Sequence, residues 1–211
     1  TNFIRQDVIE TYQVSPDRVI VASFGVDPVF RPEADGSAEL ARLGVRRPYV
    51  LALGGAARRN LHLAVAAWQL ATDDHDLVGV GTEPPPPQPG VYWAGPVDDA
   101  AWAGLLAGAQ AFLYPTAYEG FGLPGVEAQG AGAPVVAART SSLPEVLGAD
   151  SACWAQSLAV EDLAAALSQL LSDETRQQSL RTAALAHAAA APGWDQSAAA
   201  HLQAYALAAQ R

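Results

Sequence analysis

Two glutamates, eight positions apart, bracket the glycine-rich segment "EGFGLPGVE", which runs from Glu119 to Glu127. A carboxylate only accepts hydrogen bonds, so each glutamate is suited to the hydroxyl groups of a sugar. The glycines remove side chains where a backbone must pass close to a ligand, and Pro124 suits the first turn of a helix. Backbone amides at such a helix start can cradle an anion. The segment therefore predicts a site for a ligand with sugar and phosphate groups.

The same segment allows other interpretations. Gly120, Gly122 and Gly125 spell the G-x-G-x-x-G pattern of a dinucleotide-binding unit. That pattern should follow the first strand of the unit, with an acid about 20 positions later. Here it follows about the fourth predicted strand, and no acid ends the next one, so an NAD-dependent oxidoreductase is a weak alternative. Taken singly, Glu119 could be a solvated loop acid, and Glu127 a carboxylate that caps or ion-pairs near the helix start.

The elements that must position these residues alternate along the chain. Apolar or β-branched runs predict strands at residues 18–23, 49–54, 76–81, 91–95, 111–115, 134–138 and 152–154. Helical patterns occupy residues 5–12, 61–71, 100–109, 143–147, 160–173, 174–191 and 194–210, and Pro124 opens one more helix. Alternation of this kind predicts a parallel sheet covered by helices on both faces. The predicted fold class is α/β and Rossmann-like, with a helical C-terminal extension.

Composition excludes several classes of function. The chain has 211 residues, of which 50% are hydrophobic, so a sizeable core is expected. A net charge of -10 argues against nucleic-acid partners. No apolar run approaches the roughly 20 residues of a transmembrane helix. The single Cys153 excludes an intrachain disulfide and favours a reducing, cytoplasmic location. The four histidines are scattered without ligand spacing, so no metal site is expected.

Several further stretches extend the pattern to nearly the whole chain: "SPDRVIVASFGVDPVFRP", "ARRNLHLAVAAW", "APVVAARTSSLPEVLGAD" and "GWDQSAAAHLQAY". With the paired glutamates, they resemble the retaining glycosyltransferases of the large family-4 group (glycosyltransferase group 1), which have the GT-B fold and an E-x7-E motif. The resemblance implies the C-terminal, donor-binding half of such an enzyme. It also implies transfer of a hexose from a nucleoside diphosphate sugar to an unknown acceptor, with no cofactor or bound metal.

The resemblance also implies a domain organisation. Residues 1–30 would be the last helix and strand of the N-terminal domain with a turn-rich linker, residues 31–192 the nucleotide-sugar-binding domain, and residues 193–211 a helix that crosses back. The chain starts at Thr1 rather than Met, and we expect a piece of a larger protein that is inactive without its N-terminal, acceptor-binding partner domain. That missing domain could also hold the protein peripherally at the inner face of the membrane.

Site residues follow from the matched motifs. Arg58 and Arg59 lie between a predicted strand and a helix, where open α/β sheets bind ligands, and they would stabilise the leaving diphosphate; a solvated pair at a helix start is the alternative. Family members usually carry Lys at position 59, and a guanidinium is not equivalent to an ammonium. The expected catalytic residues are Arg58, Arg59 and Glu119. The expected donor-binding residues are Gly54, Gly55, Pro96, Val97, Gly120, Phe121, Gly122, Leu123 and Glu127.

Two further functions stay open beside the transferase. The Arg59 substitution also fits a non-catalytic subunit that binds a nucleotide sugar. A GT-B epimerase of nucleotide sugars shares the architecture but would need further acid and base residues from the N-terminal half. The stretch "SSLPEV" and Asn60 look most like family members that use GDP-mannose, so mannose is the preferred hexose.

Overall fold

A computed structural model describes residues 1–209 of the chain. Six strands form one parallel sheet in the order β3-β2-β1-β4-β5-β6. Their bounds are β1 (Tyr49–Leu53), β2 (Asp76–Val80), β3 (Val91–Gly95), β4 (Ala111–Leu113), β5 (Val135–Ala138) and β6 (Cys153–Ala155). The α/β, Rossmann-like prediction is therefore confirmed.

The helices account for most of the remaining described chain. They are α1 (Asn2–Tyr12), α2 (Ser37–Leu43), α3 (Leu61–Ala71), α4 (Asp99–Gly108), α5 (Leu123–Gly130), α6 (Leu143–Leu147), α7 (Val160–Leu171), α8 (Glu174–Ala190) and α9 (Trp194–Ala209). Short 3-10 turns occupy Pro16–Arg18 and Ala57–Arg59. Throughout this part of the chain, no helix has the length and apolar character that crossing a membrane would require.

Helices cover both faces of the sheet, as the alternation predicts. Successive side chains of a strand point to opposite faces. Leu51 and Phe112 therefore face one core, which α2, α4, α5 and α6 complete. Val50 and Leu113 face the other, which is built mainly from α3 and α7. Burial on both faces explains why the central strands are continuous apolar runs rather than alternating ones.

The strand order creates a crevice next to β1. The chain proceeds from β1 to β2 and β3 on one side, then returns to place β4, β5 and β6 on the other. The loops after β1 and β4 consequently leave the sheet in opposite directions at its carboxyl edge. Open α/β sheets bind their ligands at such a switch point. Both candidate motifs, at residues 54–60 and 119–127, begin at this position.

Some sequence predictions are wrong or incomplete. Residues 18–23, predicted as a strand, pair with none of the six strands, and Ile20 is 37% exposed. Their β-branched side chains favour an extended backbone, but a strand also requires a neighbour with free hydrogen-bonding groups. Helix α2 was not predicted. Helix α1 begins three residues before its predicted start, because the Thr1 hydroxyl accepts a hydrogen bond from the Ile4 amide.

The predicted domain division remains a prediction. Helix α9 occupies most of the predicted crossing helix at 193–211, whose residues 210 and 211 lie outside the described residues. The two segments that flank the sheet unit meet closely, since a Cβ atom on Gly25 would lie 2.6 Å from the backbone nitrogen of Trp194. Only glycine permits this approach at position 25 without a shift of the neighbouring backbone.

Candidate functional site

The first rim of the crevice is the turn that follows β1. Gly54 continues the sheet by donating its amide to the Val80 carbonyl at 2.8 Å, and Gly55 has a left-handed φ of +85°. A Cβ atom on Gly54 would lie 2.8 Å from the Trp93 ring. Gly54 thus has a packing reason to be glycine, and Gly55 has a conformational one. Their predicted approach to a donor stays a prediction.

Arg58 and Arg59 follow this turn, but their side chains diverge. The Arg58 side chain is 49% exposed, and its Nη2 lies 3.4 Å from Oε2 of Glu119. Arg59 is partly buried and donates from Nη1 to the Gly54 carbonyl at 2.7 Å. Its Nε is buried and finds no hydrogen-bond partner within residues 1–209. A buried donor of this kind calls for an acceptor, such as a ligand oxygen or a water. Arg59 is therefore not the solvated cation of the alternative interpretation.

Hydrogen bonds hold the two rims of the crevice together. The Asn60 side chain donates to the Pro115 carbonyl at 2.9 Å, from a residue with a left-handed φ of 52°. The Arg58 carbonyl accepts from the Ala117 amide at 2.8 Å, and the Thr116 hydroxyl lies 3.3 Å from the same oxygen. The arginine-bearing turn is thereby fixed relative to the loop after β4, which carries the first glutamate.

Glu119 is a buried carboxylate with both oxygens engaged. It is 7% exposed, so the interpretation as a solvated loop acid is wrong. Its Oε1 accepts from the Tyr114 hydroxyl at 2.7 Å and from the Thr116 hydroxyl at 3.2 Å, while Oε2 faces Arg58. Burial, together with the bond to Glu119, raises the pKa of Tyr114, so this phenol keeps its proton and donates. The carboxylate therefore has a fixed orientation, with Oε2 on the arginine side.

Glu127 lies in α5, at the other end of the motif. Its Oε2 accepts the indole N–H of Trp102 at 2.8 Å, and within the described chain it makes no ion pair and caps no helix. Burial raises the pKa of Glu127; the Trp102 bond opposes this shift, nearby Asp99 adds to it, and Arg59 opposes it. The proximity of Arg59 brings Glu127 into the same electrostatic environment as the arginine turn.

The glycines between the glutamates shape the start of α5. Gly122 has a φ of +98°, and a Cβ atom there would lie 2.8 Å from Cδ2 of Leu143. Gly120 is exposed, and its carbonyl accepts from the Thr1 hydroxyl at 3.0 Å. Phe121 packs edge-on against Phe24, with ring centroids 5.3 Å apart. The helix begins at the partly buried Leu123, one residue before the predicted Pro124.

Pro96 and Val97 lie on the same edge of the sheet but apart from the glutamates. They follow β3, two strands from β1, which corresponds to a lateral distance of roughly 10 Å. Pro96 is exposed and Val97 is partly buried. The Arg42 side chain donates to the Ala94 carbonyl at 3.0 Å and so anchors the end of this edge strand. Contact of Pro96 and Val97 with a nucleobase stays a prediction.

Sequence reasoning missed the residues that hold the two acids in place. Tyr114 and Thr116 orient Glu119, and Trp102 orients Glu127. Ser141 and Ser142 bind the backbone of the glycine loop. A usable signal existed for three of them, because Thr116, Ser141 and Ser142 are small hydroxyl residues just beyond the carboxyl ends of two strands. Trp102 carries no such signal.

Tyr118, beside the motif, is 44% exposed, lies edge-on to Phe3 at 5.8 Å and donates to Asp7 at 3.1 Å. Over residues 1–209, no three or more His, Cys, Asp or Glu side chains converge as a metal-binding group. The absence of a metal or other cofactor from the reaction stays a prediction.

Comparison with known proteins places this geometry in context. The sequence profile described as "Glycosyl transferases group 1" matches residues 47–173. The "MMP alpha-(1->4)-mannosyltransferase" of Mycolicibacterium hassiacum is 32% identical over 184 residues, which are 78% of this chain and 42% of that protein. The "O-antigen chain mannosyltransferase B" of Escherichia coli is 29% identical over 216 residues, covering 89% of this chain and 54% of that protein. The chain thus spans about half the length of these relatives.

The fold is also found among solved structures. A glycosyltransferase from Rickettsia africae superposes with a TM-score of 0.85 at 18% sequence identity, over 97% of this chain and 61% of that one. At this identity the match shows a shared fold. The sheet, its switch point and the flanking helices therefore have a counterpart in an experimentally determined structure.

Proposed function

The chain belongs to the glycosyl transferases group 1 family, and from this premise we propose that it is the donor-binding half of a retaining glycosyltransferase. The enzyme would transfer a hexose from a nucleoside diphosphate sugar to an acceptor held by an N-terminal domain. The observation that carries the proposal is the buried Glu119 facing Arg58 at the switch-point crevice, with Arg59 in the same turn and Glu127 in the helix that begins there. Carboxylates suit sugar hydroxyls, and guanidinium groups suit a diphosphate.

Each residue has a distinct proposed role. Glu127 would accept the ribose hydroxyls, because Trp102 occupies one of its oxygens and leaves the other without a partner in the described chain. Glu119 would present Oε2 to the transferred sugar. As the bond from the anomeric carbon to the diphosphate breaks, the diphosphate takes the electron pair, and Arg58 and Arg59 would stabilise that charge in place of a metal. The acceptor hydroxyl bonds to the anomeric carbon, and its proton passes to the departing diphosphate.

Mannose is the hexose that we propose, since two of the relatives are named mannosyltransferases. We place the reaction in the cytoplasm, which the single, reduced cysteine favours, with membrane contact through the N-terminal domain.

A non-catalytic subunit that binds a nucleotide sugar is the second candidate. It is favoured by Arg59, which stands where the family resemblance implies a Lys and donates a hydrogen bond to the Gly54 carbonyl. Nothing described favours the epimerase.

Calorimetric titration of the chain with GDP, UDP, ADP and NADH tests the proposal. We expect one nucleoside diphosphate to bind in clear preference to the other two, and NADH to give no heat of binding. The reason is that the glycine motif follows β4 rather than the first strand, so the pyrophosphate of a dinucleotide lacks its usual cradle. Preferential binding of NADH, or no binding of any nucleoside diphosphate, would contradict the proposal.

Donor binding should also depend on pH through Glu127. The pKa of this carboxyl lies above the ordinary glutamate value because burial disfavours its charged form. As the pH falls through the raised pKa, Glu127 gains a proton and becomes a weaker acceptor for ribose hydroxyls, so affinity declines. A sugar nucleotide is the suitable probe, because a free nucleoside diphosphate gains a proton of its own at about pH 6. In Glu127→Gln this acidic decline should disappear; equal pH profiles for the two proteins would refute the assignment.

A further inference from the structure

The loop between β5 and α6 holds the backbone of the glycine motif. We define the donor loop as residues 119–122. The Glu119 amide donates to Oγ of Ser141 at 2.9 Å. The Ser142 hydroxyl lies 2.8 Å from the Glu119 carbonyl and 3.0 Å from the Phe121 carbonyl, so it donates to either. Two consecutive serines therefore satisfy the amide of Glu119 and one of two carbonyls, that of Glu119 or that of Phe121.

Ser141 makes its bond from an unfavourable backbone conformation. Its φ is +46°, and within residues 1–209 the other non-glycine residues with positive φ are Gln13 and Asn60. Asn is enriched in this left-handed region because its short polar side chain tolerates it, whereas Ser has no such preference. Strain of this kind persists where the surrounding structure needs it, and it clusters at functional sites. The site that Ser141 contacts is the loop that carries Glu119.

A third contact shows that the two loops are fitted to each other over several residues. The Thr140 hydroxyl donates to the Thr116 carbonyl at 2.9 Å, and Thr116 in turn donates to the Glu119 carboxylate. Glu119 is therefore fixed at its amide, its carbonyl and its side chain. Without the serine contacts, Gly120 and Gly122 would leave the donor loop free to adopt other conformations.

We propose that Ser141 is a positioning residue, which keeps a strained backbone so that its hydroxyl fixes the Glu119 amide, while Ser142 holds the carbonyl side of the same loop. This inference rests on the proposed function, in which Glu119 meets the transferred sugar. Ser141 itself would not touch the donor. Its effect would be on the placement of the carboxylate, and therefore on the sugar rather than on the nucleotide.

Ser141→Gly separates this role from a merely structural one. Glycine relieves the left-handed strain but removes the acceptor of the Glu119 amide, so thermal stability should be unchanged or higher. Affinity for GDP-mannose should nevertheless fall about threefold to tenfold, the value of one hydrogen bond. Affinity for GDP should change less than twofold. Ser141→Asn, which tolerates positive φ and keeps a side-chain acceptor, should restore most of the sugar-nucleotide affinity.

Gln13→Gly is the matched control, because it relieves the same backbone conformation at the end of α1 and should leave both affinities unchanged. Unchanged GDP-mannose affinity in Ser141→Gly would overturn the inference and leave the proposed function intact. If UDP-glucose is the donor that the wild type binds, the same comparison is made with UDP-glucose and UDP. Should the wild type bind neither donor, the proposed function fails, and amide hydrogen exchange still tests the hydrogen bond between Ser141 and the Glu119 amide. The Glu119 amide hydrogen must then exchange faster in Ser141→Gly than in the control. Equal exchange rates would refute the positioning role of Ser141.

Discussion

Replacing Arg58 and Arg59 together with alanine is expected to reduce the affinity of the chain for its nucleoside diphosphate at least about 100-fold. A hydrogen bond to a charged group contributes roughly 1.5–3 kcal/mol, and each tenfold change in affinity corresponds to about 1.4 kcal/mol. Two guanidinium groups on one diphosphate therefore account for a loss of this size. The structure adds a reason for Arg59 in particular, since its buried Nε has no acceptor within the described chain.

The measurement is calorimetric titration of the double variant, with Arg46→Ala, Arg47→Ala as the matched control. Arg46 and Arg47 are likewise two adjacent arginines next to β1. They precede the strand, whereas Arg58 and Arg59 follow it. The control removes the same charge at the opposite edge of the sheet. Similar losses in both variants would mean that the double variant acts through net charge, and the assignment of Arg58 and Arg59 to the diphosphate would then be wrong.

The two glutamates of the motif are expected to have opposite effects on stability. Glu119→Ala should reduce the free energy of unfolding by about 1–3 kcal/mol, because it leaves the buried hydroxyl of Tyr114 without its acceptor. Glu127→Gln should leave the stability at neutral pH unchanged or increase it. Gln still offers an oxygen to the Trp102 indole, and it removes a charge that burial disfavours.

The direction of the stability change in Glu127→Gln follows from the pKa of Glu127. The folded state holds this proton at pH values where the unfolded state has already released it, because burial raises the pKa of the folded form. Stability therefore falls as the pH rises through that interval, and above it the charged carboxylate carries a constant cost. Urea denaturation of both variants at neutral pH measures the two effects. If Glu127→Gln lowered the free energy of unfolding as much as Glu119→Ala, the expected difference between the two glutamates would be contradicted.

If both results hold, the motif combines one glutamate that stabilises the fold with one that costs stability. A group that lowers stability and is retained is a candidate for function, since activity often requires a destabilising arrangement. On this view Glu127 is the clearer ligand-binding residue, and Glu119 also organises the loop. Loss of the carboxylate then has different consequences for stability at the two ends of a nine-residue segment.

Several features were accessible from the order of residues alone. The alternation of apolar runs and helical patterns was sufficient for the parallel sheet, because local periodicity reflects which faces are buried. Helix α3, strand β3 and helix α6 have the predicted bounds. The glutamates and arginines were identifiable because their chemistry and their positions after strands are local properties.

Other features depended on which segments meet in space. Residues 18–23 have the composition of a strand, yet pairing requires a partner that no local pattern reveals. Trp102 lies 25 positions from Glu127, and Ser141 lies 22 positions from Glu119, so their hydrogen bonds arise from the packing of different elements. The divergence of Arg58 toward a glutamate and of Arg59 toward a carbonyl likewise depends on the fold, because adjacent residues in a tight turn point in different directions. Residue types and spacing therefore identified the chemical groups, while long-range packing set their partners, their burial and the cost of their charges.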